Sequence, residues 1–320
     1  MTTGIEIERR PLGASAVEAP RIMLGCGNFG GVGSAPEFFG RGQSEQEAFA
    51  LMDAAWELGI THFDTADAYG GGRSEAAIGR WSRSRGVRPQ LTTKTYNPMD
   101  AGADRGLTRA RIERQLASSL DRLGVDRVDL YLAHEFDPDV PLEETLATLE
   151  DLVDDGAIGA YGVSNFDASQ LERAAALGSP ACVQNSYSLL ERTDELDLLP
   201  LCARRGLGYV AFGPLAGGWL TGKYRRGADF PAGSRMTQRP EPYRRFLRDG
   251  VFDALEELER RAAERGISTA GLALAWLLAE PRVGAAVVGP SRPEHLRPVR
   301  EALAHPLSAS ERDELSELFA

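Results

Sequence analysis

The chain has 320 residues, of which 42% are hydrophobic and 26% charged, an ordinary balance for a globular protein. Its net charge of −11 argues against general binding to nucleic acids or anionic membranes, although a local arginine cluster can still hold an anionic cofactor. The cysteines Cys26, Cys182 and Cys202 have no regular spacing, which argues against a disulfide framework or a metal site.

The first residues predict neither an export signal nor a membrane anchor. Residues 1–10 carry charges and no apolar run, unlike a secretory signal. No stretch of the sequence approaches the ~20 consecutive apolar residues that span a bilayer. We therefore expect no membrane partner and a cytoplasmic, reducing location.

Strand and helix patterns alternate along most of the chain. Residues 5–18 alternate weakly around Gly13 and predict a small β-hairpin before the main body. Apolar and β-branched runs predict strands at 21–25, 60–64, 90–94, 128–134, 158–163, 182–185, 208–212 and 284–288. Periodic apolar stripes predict helices at 45–58, 74–85, 108–123, 142–155, 167–177, 194–205, 249–265, 268–279, 293–304 and after 308.

This alternation predicts the fold class. Strands separated by helices imply a parallel sheet, and eight such units predict a closed (β/α)8 TIM barrel preceded by the hairpin. Fewer genuine strands would instead give an open doubly wound sheet. Capping boxes at 44–47, 167–170 and 308–311 support three of the helix starts. No linker is evident, so we expect residues 1–320 to form a single domain.

One long segment interrupts the regular alternation. Residues 224–248 are polar and rich in arginine, and they contain no periodic apolar pattern. A loop of this length within a compact domain is usually functional or disordered. We predict that it folds over a bound cofactor and slows the release of that cofactor.

Three neighbouring predicted strands end in a chemically capable residue. Asp64 ends the strand at 60–64, Lys94 ends the next one, and His134 ends the strand after that. Tyr69 follows Asp64 in the adjoining loop. Each residue has an ordinary structural explanation on its own, but parallel barrel strands bring their carboxyl ends to one rim, where barrel enzymes carry their active sites.

These four side chains together can donate a proton to a carbonyl oxygen. A free phenol has a pKa of about 10, and a nearby ammonium is expected to lower it. A carboxylate beside the lysine keeps the ammonium charged and fixed, while a histidine can hydrogen-bond the carbonyl oxygen. Such a reduction also requires a hydride donor, which nicotinamide cofactors supply.

Four sequence motifs resemble the signatures of the aldo-keto reductase superfamily. They occur at 63–70, 93–94, 132–134 and 162–166, and the resemblance extends over nearly the whole chain. It implies a (β/α)8 barrel that binds NADP(H) without a Rossmann motif. The family's catalytic tetrad corresponds to Asp64, Tyr69, Lys94 and His134, with the tyrosine as general acid in reduction and base in oxidation.

The resemblance also implies a set of cofactor-binding residues. Gly27, Asn28 and Asp64 correspond to the nicotinamide side, Ser164, Asn165 and Gln184 to the carboxamide partners, and Phe212 to an aromatic that stacks on the nicotinamide ring. The segment that wraps the pyrophosphate contains Gly213, Leu215, Gly217 and Lys223, where small residues let backbone amides approach an anion.

The adenosine end of the cofactor corresponds to residues 287–297. Ser291 and Arg292 fall where the family reads the 2′-phosphate, and an arginine fork suits a phosphate. The chain departs from the family pattern here, because His295 replaces a common glutamine and Pro298 and Val299 replace a usual Glu-Asn pair. These departures bear on the adenine contacts and on discrimination between NADPH and NADH.

The sequence therefore predicts an NADPH-dependent oxidoreductase that reduces a small aldehyde or ketone to an alcohol by hydride transfer. An NAD(P)+-dependent sugar or alcohol dehydrogenase would use the same site in reverse. Some members of the superfamily are cofactor-sensing subunits of membrane channels, a role against which the short sequence before the hairpin speaks. A barrel lyase or hydrolase would need a metal cluster or paired acids, which the sequence does not suggest.

The substrate and the oligomeric state are not evident from the sequence. We expect the pocket walls to come from the loops that follow the strands. The candidates are Phe29, the loop at 30–42, Phe136 and the segment 224–248, with Trp81 a weaker one.

Overall fold

A computed structural model describes residues 6–102 and 104–319 of the chain. Its strands are β1 (Arg9–Pro11), β2 (Glu18–Pro20), β3 (Ile22–Gly25), β4 (His62–Asp64), β5 (Gln90–Thr95), β6 (Val128–Ala133), β7 (Ile158–Ser164), β8 (Cys182–Ser186), β9 (Gly208–Phe212) and β10 (Ala285–Val288). Its α-helices are α1 (Glu45–Glu57), α2 (Arg73–Arg85), α3 (Arg109–Leu123), α4 (Leu142–Asp154), α5 (Ala168–Leu177), α6 (Leu198–Arg205), α7 (Arg235–Gln238), α8 (Asp249–Glu264), α9 (Thr269–Leu278), α10 (Arg297–Ala304) and α11 (Ala309–Glu317).

Strands β3 to β10 form a closed parallel barrel in chain order, with β10 hydrogen-bonded to β3. The predicted (β/α)8 barrel is therefore confirmed, as is the antiparallel pair β1–β2 that precedes it. Residues 1–5, which include the first residue of the predicted hairpin, lie outside the described residues. All three predicted capping boxes form, at the starts of α1, α5 and α11.

The hairpin covers the end of the barrel at which the strands begin. Leu12 is 1% exposed and belongs to an apolar cluster with the barrel residues Met23, Leu130 and Val210. Gly13 has a φ of +59°, and a Cβ there would lie 2.5 Å from the carbonyl oxygen of Ala181. Because apolar side chains and the hairpin fill this end, the open end is the one where the strands finish.

Aromatic residues pack the layer between the barrel and its first helices. The ring of Trp81 on α2 lies 5.2 Å from the ring of Phe63 on β4 and 5.7 Å from the ring of Trp56 on α1, measured between centroids. Trp81 is 1% exposed, and its indole donates to Asp53. The expectation that Trp81 contributes to a pocket wall is therefore wrong, because strand alternation directs Phe63 and its partners away from the barrel interior.

Several element boundaries differ from the predictions, most of all the starts of α6 and α10, which lie at Leu198 and Arg297 because 3₁₀ turns at Thr193–Glu195 and Pro293–Leu296 occupy the preceding residues. Helix α2 begins at Arg73, one residue before the predicted start, with Gly72 as its N-cap and with the side chains of Ser74 and Glu75 fully buried. The segment predicted as a long loop contains helix α7 and a 3₁₀ turn at Glu241–Phe246. No helix among the described residues is long and apolar enough to cross a membrane.

Candidate active site

The four residues singled out by the sequence meet at the open end of the barrel. Asp64 is the last residue of β4, Lys94 lies near the end of β5, and His134 directly follows β6. These strands are neighbours, with Asp64 paired to Thr92. Tyr69 lies on the loop after β4, and its ring centroid is 5.6 Å from that of His134 and 5.2 Å from Lys94 Nζ.

Lys94 and Asp64 form a buried ion pair that further hydrogen bonds support. Lys94 Nζ donates to Asp64 Oδ1 at 2.5 Å and to the carbonyl oxygen of Thr65 at 2.8 Å. The other carboxylate oxygen, Asp64 Oδ2, accepts from Gln184 Nε2 at 2.7 Å. The two side chains are 1% and 3% exposed, so these additional bonds help to offset the cost of burying both charges.

This environment fixes the protonation states of Lys94 and Tyr69. Burial opposes the charged form of Lys94, yet its interactions with Asp64 and Tyr69 together raise the pKa of its ammonium above the ordinary value. Desolvation raises the pKa of the Tyr69 phenol, and the opposing charge of Lys94 does not outweigh it. The expected lowering of the Tyr69 pKa is therefore not found, and the phenol keeps its proton at neutral pH.

His134 is a neutral imidazole in contact with one side-chain amide. Burial, followed by the charge of Lys94, places the pKa of His134 well below its ordinary value. Asn97 Nδ2 lies 3.3 Å from His134 Nδ1. Asn97 is not among the residues predicted from the sequence, although a polar amide in the loop directly after the strand that carries Lys94 is a usable signal.

Buried polar residues that the sequence did not single out support the loop that carries Tyr69. Asp67 accepts from the Ala68 amide at 2.6 Å and from Thr95 Oγ1 at 2.7 Å, and burial raises its pKa to about 7. Thr95 in turn accepts from Arg111 Nη1 at 2.8 Å. The charged residues at 67 and 111 could not be distinguished in sequence from solvated surface residues.

A second network fixes the turn into α2 behind the same loop. Ser74 Oγ lies 2.8 Å from Thr65 Oγ1, and Glu75 accepts from Thr93 Oγ1 at 2.5 Å and from Arg122 at 2.7 Å. These bonds tie the loop that carries Tyr69 to strand β5. The position of the phenol is therefore set by buried contacts on both sides of its loop.

The residues expected near a nicotinamide lie around the cluster of Asp64, Tyr69, Lys94 and His134. A Cβ added to Gly27 would lie 3.5 Å from the ring of Tyr69. Ser164 Oγ donates to the carbonyl oxygen of Gln184 at 2.8 Å, and Asn165 Nδ2 donates to the carbonyl oxygen of His134 at 2.9 Å. Asn165 adopts a left-handed φ of +57°, a conformation that asparagine tolerates better than most residues.

The segment after β9 has a backbone suited to an anion. Phe212 ends the strand, and Gly213 has a φ of +65°. Beyond Leu215, three successive residues, Ala216, Gly217 and Gly218, also have positive φ values of 46°, 63° and 93°. Such turns can direct consecutive backbone amides toward one point and form an anion-binding concavity.

Cationic side chains lie beside this segment. A Cβ added to Gly218 would lie within 2.3 Å of Lys223 Nζ, which places the lysine directly against the turn. Partial burial and the charge of Arg235 lower the pKa of Lys223. Arg235 itself donates to Asn28 Oδ1 at 2.6 Å and makes no salt bridge to a described carboxylate. Lys223 and Arg235 thus form a pair of cations without a described carboxylate partner, and such a pair suits a pyrophosphate.

The candidate residues for binding adenosine lie in the loop after β10, the strand that pairs with β9. Ser291, Arg292 and His295 are exposed, and the carbonyl oxygen of Ser291 accepts from Gln43 Nε2 at 2.9 Å. Partial burial and the charges of Arg292 and Lys223 lower the pKa of His295. Lys223, Arg292 and His295 therefore lie close enough to affect one another electrostatically, and such a basic cluster suits a phosphorylated adenosine.

The expected pocket walls are only partly supported. Phe29 is 1% exposed and belongs to the core, so its assignment to a wall is wrong. Phe136 is partly exposed and packs against Phe166, with ring centroids 5.5 Å apart. In the loop at 30–42, Phe38 lies 5.9 Å from the guanidinium of Arg239, so this loop meets the segment 224–248.

The described residues contain no group of three His, Cys, Asp or Glu side chains arranged to hold a metal ion. Cys26, Cys182 and Cys202 are free thiols in the interior.

Comparisons with known proteins match this geometry. The profile of the aldo/keto reductase family matches residues 21–320. The chain is 33% identical to L-glyceraldehyde 3-phosphate reductase of Escherichia coli (strain K12) over 93% of this chain and 88% of the relative. It is 34% identical to a probable voltage-gated potassium channel subunit beta of Oryza sativa subsp. japonica, over 79% and 81%. The solved structure of a glycerol dehydrogenase from Gluconobacter oxydans superposes with a TM-score of 0.83 at 28% identity, covering 98% of this chain and 95% of that one.

Proposed function

The chain belongs to the aldo/keto reductase family, and from this premise we propose that it reduces an aldehyde or ketone with NADPH, using Tyr69 as the general acid. The observation that carries the proposal is the buried Lys94–Asp64 pair beneath a protonated phenol, with a neutral histidine beside it. This arrangement provides a proton donor and a hydrogen-bonding group at one point of the barrel rim.

Each side chain has a distinct role in the proposed reaction. Tyr69 donates its hydroxyl proton to the carbonyl oxygen as that oxygen gains negative charge. Lys94 stabilises the phenolate left behind, and Asp64 keeps Lys94 charged and in place. His134 orients the carbonyl oxygen by a hydrogen bond. The alcohol thus receives its oxygen-bound proton from the protein.

A bound reduced nicotinamide would supply the hydride that is transferred to the carbonyl carbon. We assign the carboxamide to Ser164, Asn165 and Gln184, and the ring to Phe212. Gln184 also holds Asp64 at 2.7 Å, so this residue connects the nicotinamide position with the Lys94–Asp64 pair.

The preference for NADPH rests on positive charge at the far end of the proposed cofactor site. We assign the pyrophosphate to the turn from Gly213 to Gly217 together with Lys223, and the 2′-phosphate to Ser291 and Arg292. His295 lies near enough to Arg292 and Lys223 for their charges to lower its pKa. Because NADH lacks the 2′-phosphate, this cluster favours NADPH.

The test is direct measurement of turnover. Purified protein is incubated with NADPH and a panel of aldehydes and ketones while the loss of nicotinamide absorbance is followed, and the same panel is repeated with NADH. Turnover that is faster with NADPH supports the proposal. Tight binding of NADPH without turnover of any carbonyl would instead support a sensor role.

Two other functions have specific support. The similarity to a glycerol dehydrogenase favours the reverse reaction, in which Tyr69 accepts the proton of an alcohol and NAD(P)+ accepts hydride. The similarity to a potassium channel subunit favours a cofactor-sensing role. Rates measured in both directions with matched alcohol and carbonyl pairs distinguish alcohol oxidation from carbonyl reduction. Cofactor binding measured beside turnover distinguishes a sensor from an enzyme.

A further inference from the structure

The imidazole of His134 has a side-chain partner that none of the assigned roles uses. Asn97, three residues beyond Lys94, places its amide nitrogen 3.3 Å from His134 Nδ1. His134 is 8% exposed, and burial together with the charge of Lys94 keeps the ring neutral. A neutral imidazole carries its single proton on one nitrogen or the other, and the partner of one nitrogen determines which.

Asn97 is anchored independently of the histidine. Its backbone carbonyl accepts from Arg111 Nη2 at 2.8 Å. Arg111 is 2% exposed and also donates to Thr95 Oγ1 at 2.8 Å and to the carbonyl oxygen of Gly106 at 3.0 Å. This buried guanidinium anchors the backbone at Asn97, whose side-chain amide lies beside His134.

The same guanidinium connects Asn97 with the loop that carries Tyr69. Thr95, which accepts from Arg111, donates to Asp67, and Asp67 accepts the backbone amide of Ala68. The positions of the phenol and of the imidazole therefore depend on one buried chain of hydrogen bonds that ends at Asn97.

We propose that Asn97 is a positioning residue that donates its side-chain N–H to His134 Nδ1 and thereby keeps the ring proton on Nε2. In this tautomer the ring presents an N–H donor from its other nitrogen. The opposite tautomer would present a lone pair there, which repels a carbonyl oxygen as it gains negative charge. The consequence for turnover rests on the proposed carbonyl reduction, whereas the tautomer itself does not.

The tautomer can be measured directly. Long-range proton–nitrogen correlation spectra of protein labelled with ¹⁵N-histidine identify which ring nitrogen carries the proton. The chain has four histidines, and loss of one signal in His134→Gln assigns the residue. We expect an Nε2–H tautomer in the unmodified protein. An Nδ1–H tautomer there would overturn the proposal without any variant being needed.

Substitutions at position 97 supply the second measurement. In Asn97→Asp the carboxylate accepts a hydrogen bond, so the proton should move to Nδ1 or the ring should become doubly protonated at a higher pH. In Asn97→Ala the preference for Nε2–H should weaken. Met99→Leu in the same loop should leave the spectrum unchanged. If both Asn97 variants retain the original tautomer and pH titration, Asn97 does not set the tautomer.

Turnover then tests the consequence. With a carbonyl substrate, kcat for reduction should fall at least ~10-fold in Asn97→Asp, a conservative figure for a misdirected donor at a developing oxyanion. The Kd for NADPH should stay unchanged. A switched tautomer with unchanged kcat would refute the link to catalysis. Absence of turnover in the unmodified protein would count against the proposed function, while the spectra would still decide the role of Asn97.

Discussion

Arg235 Nη2 donates a 2.6 Å hydrogen bond to Asn28 Oδ1, and this contact joins the segment 224–248 to the loop after the first barrel strand. The same segment reaches Phe38 through Arg239, with the guanidinium carbon 5.9 Å from the ring centroid. It also forms an ion pair between Arg245 and Glu191. A segment tied to the rest of the rim at several points is well placed to cover a cofactor.

We expect Arg235→Ala to speed the release of NADP(H). The variant removes the contact with Asn28 and a cation beside the proposed pyrophosphate position, so both lid closure and phosphate binding should weaken. Stopped-flow fluorescence of NADPH release measures the rate constant. Arg225→Ala is the matched control, because Arg225 pairs with Glu259 and is 62% exposed. Equal release rates in all three proteins would exclude the lid role for Arg235.

The second prediction concerns cofactor choice. Removing a charge-assisted contact with the 2′-phosphate should cost about 1.5–3 kcal/mol, so Arg292→Ala should reduce the preference for NADPH by about one to two decades. Binding of NADH should change little. The Kd values of both cofactors are measured by titration, with Arg300→Ala on α10 as the control.

Two outcomes would revise the cofactor assignment. Equal losses of affinity for NADPH and NADH in Arg292→Ala would move the 2′-phosphate contact to another residue. No preference for NADPH in the unmodified protein would favour an NAD-dependent enzyme. His295 and Lys223, which share the electrostatic environment of Arg292, are the next residues to test.

The third prediction links the buried Asp67 to the pH dependence of stability. Its pKa is raised from 3.8 to about 7, with burial as the main cause and Glu75 as a second. Between these values the folded state binds more protons at Asp67 than the unfolded state does, so its contribution to stability is present at low pH and is lost as pH rises toward 7.

Asp67→Asn should remove this dependence. An asparagine keeps an acceptor for the Ala68 amide and adds an N–H group that can face the Thr95 hydroxyl. The free energy of unfolding of the variant, taken relative to that of the unmodified protein, should therefore rise by up to a few kcal/mol as the pH increases from about 4 to about 8. Denaturant unfolding of both proteins across this range measures the difference, and a difference that is independent of pH would contradict the assignment.

The fold was largely predictable because its signals are local and repeated. Alternating apolar strands and amphipathic helices specify the barrel, and the three capping boxes all form. The segment 224–248 resembles a loop in sequence because its helices are only one or two turns long and carry no apolar stripe. Such short elements are stabilised by tertiary contacts that a sequence pattern does not encode.

The predicted residues of the site meet at one rim, but their electrostatics could not be read from the sequence. The expected lowering of the Tyr69 pKa considered only the charge of Lys94, whereas desolvation has the larger effect. The sequence allows Phe29 and Trp81 as walls of the substrate pocket, but both side chains are buried in the core. Asn97 and Asp67 act through partners that are distant in the chain, so their contacts emerge only in three dimensions.

The fourth prediction tests catalysis and separates an enzyme from a sensor. Tyr69→Phe removes the acidic proton and keeps the ring, so carbonyl reduction should fall by at least ~10²-fold. NADPH binding should persist, because the proposed cofactor contacts lie on other loops. Tyr161→Phe, a phenol bonded to Glu150 on the outer side of the barrel, is the matched control and should retain turnover.

Lys94→Met should also impair reduction severely, since the phenolate formed in the reaction loses its stabilising cation. It also leaves the carboxylate of Asp64 with Gln184 as its described side-chain donor, so a loss of stability of about 3–5 kcal/mol is expected and must be measured alongside kcat. In the double variant with Tyr69→Phe, the loss of kcat should be far smaller than the product of the single losses, because the two residues act as a unit. Multiplicative losses would mean that Lys94 and Tyr69 contribute independently. Full reductase turnover in Tyr69→Phe would rule out the phenol as the proton donor.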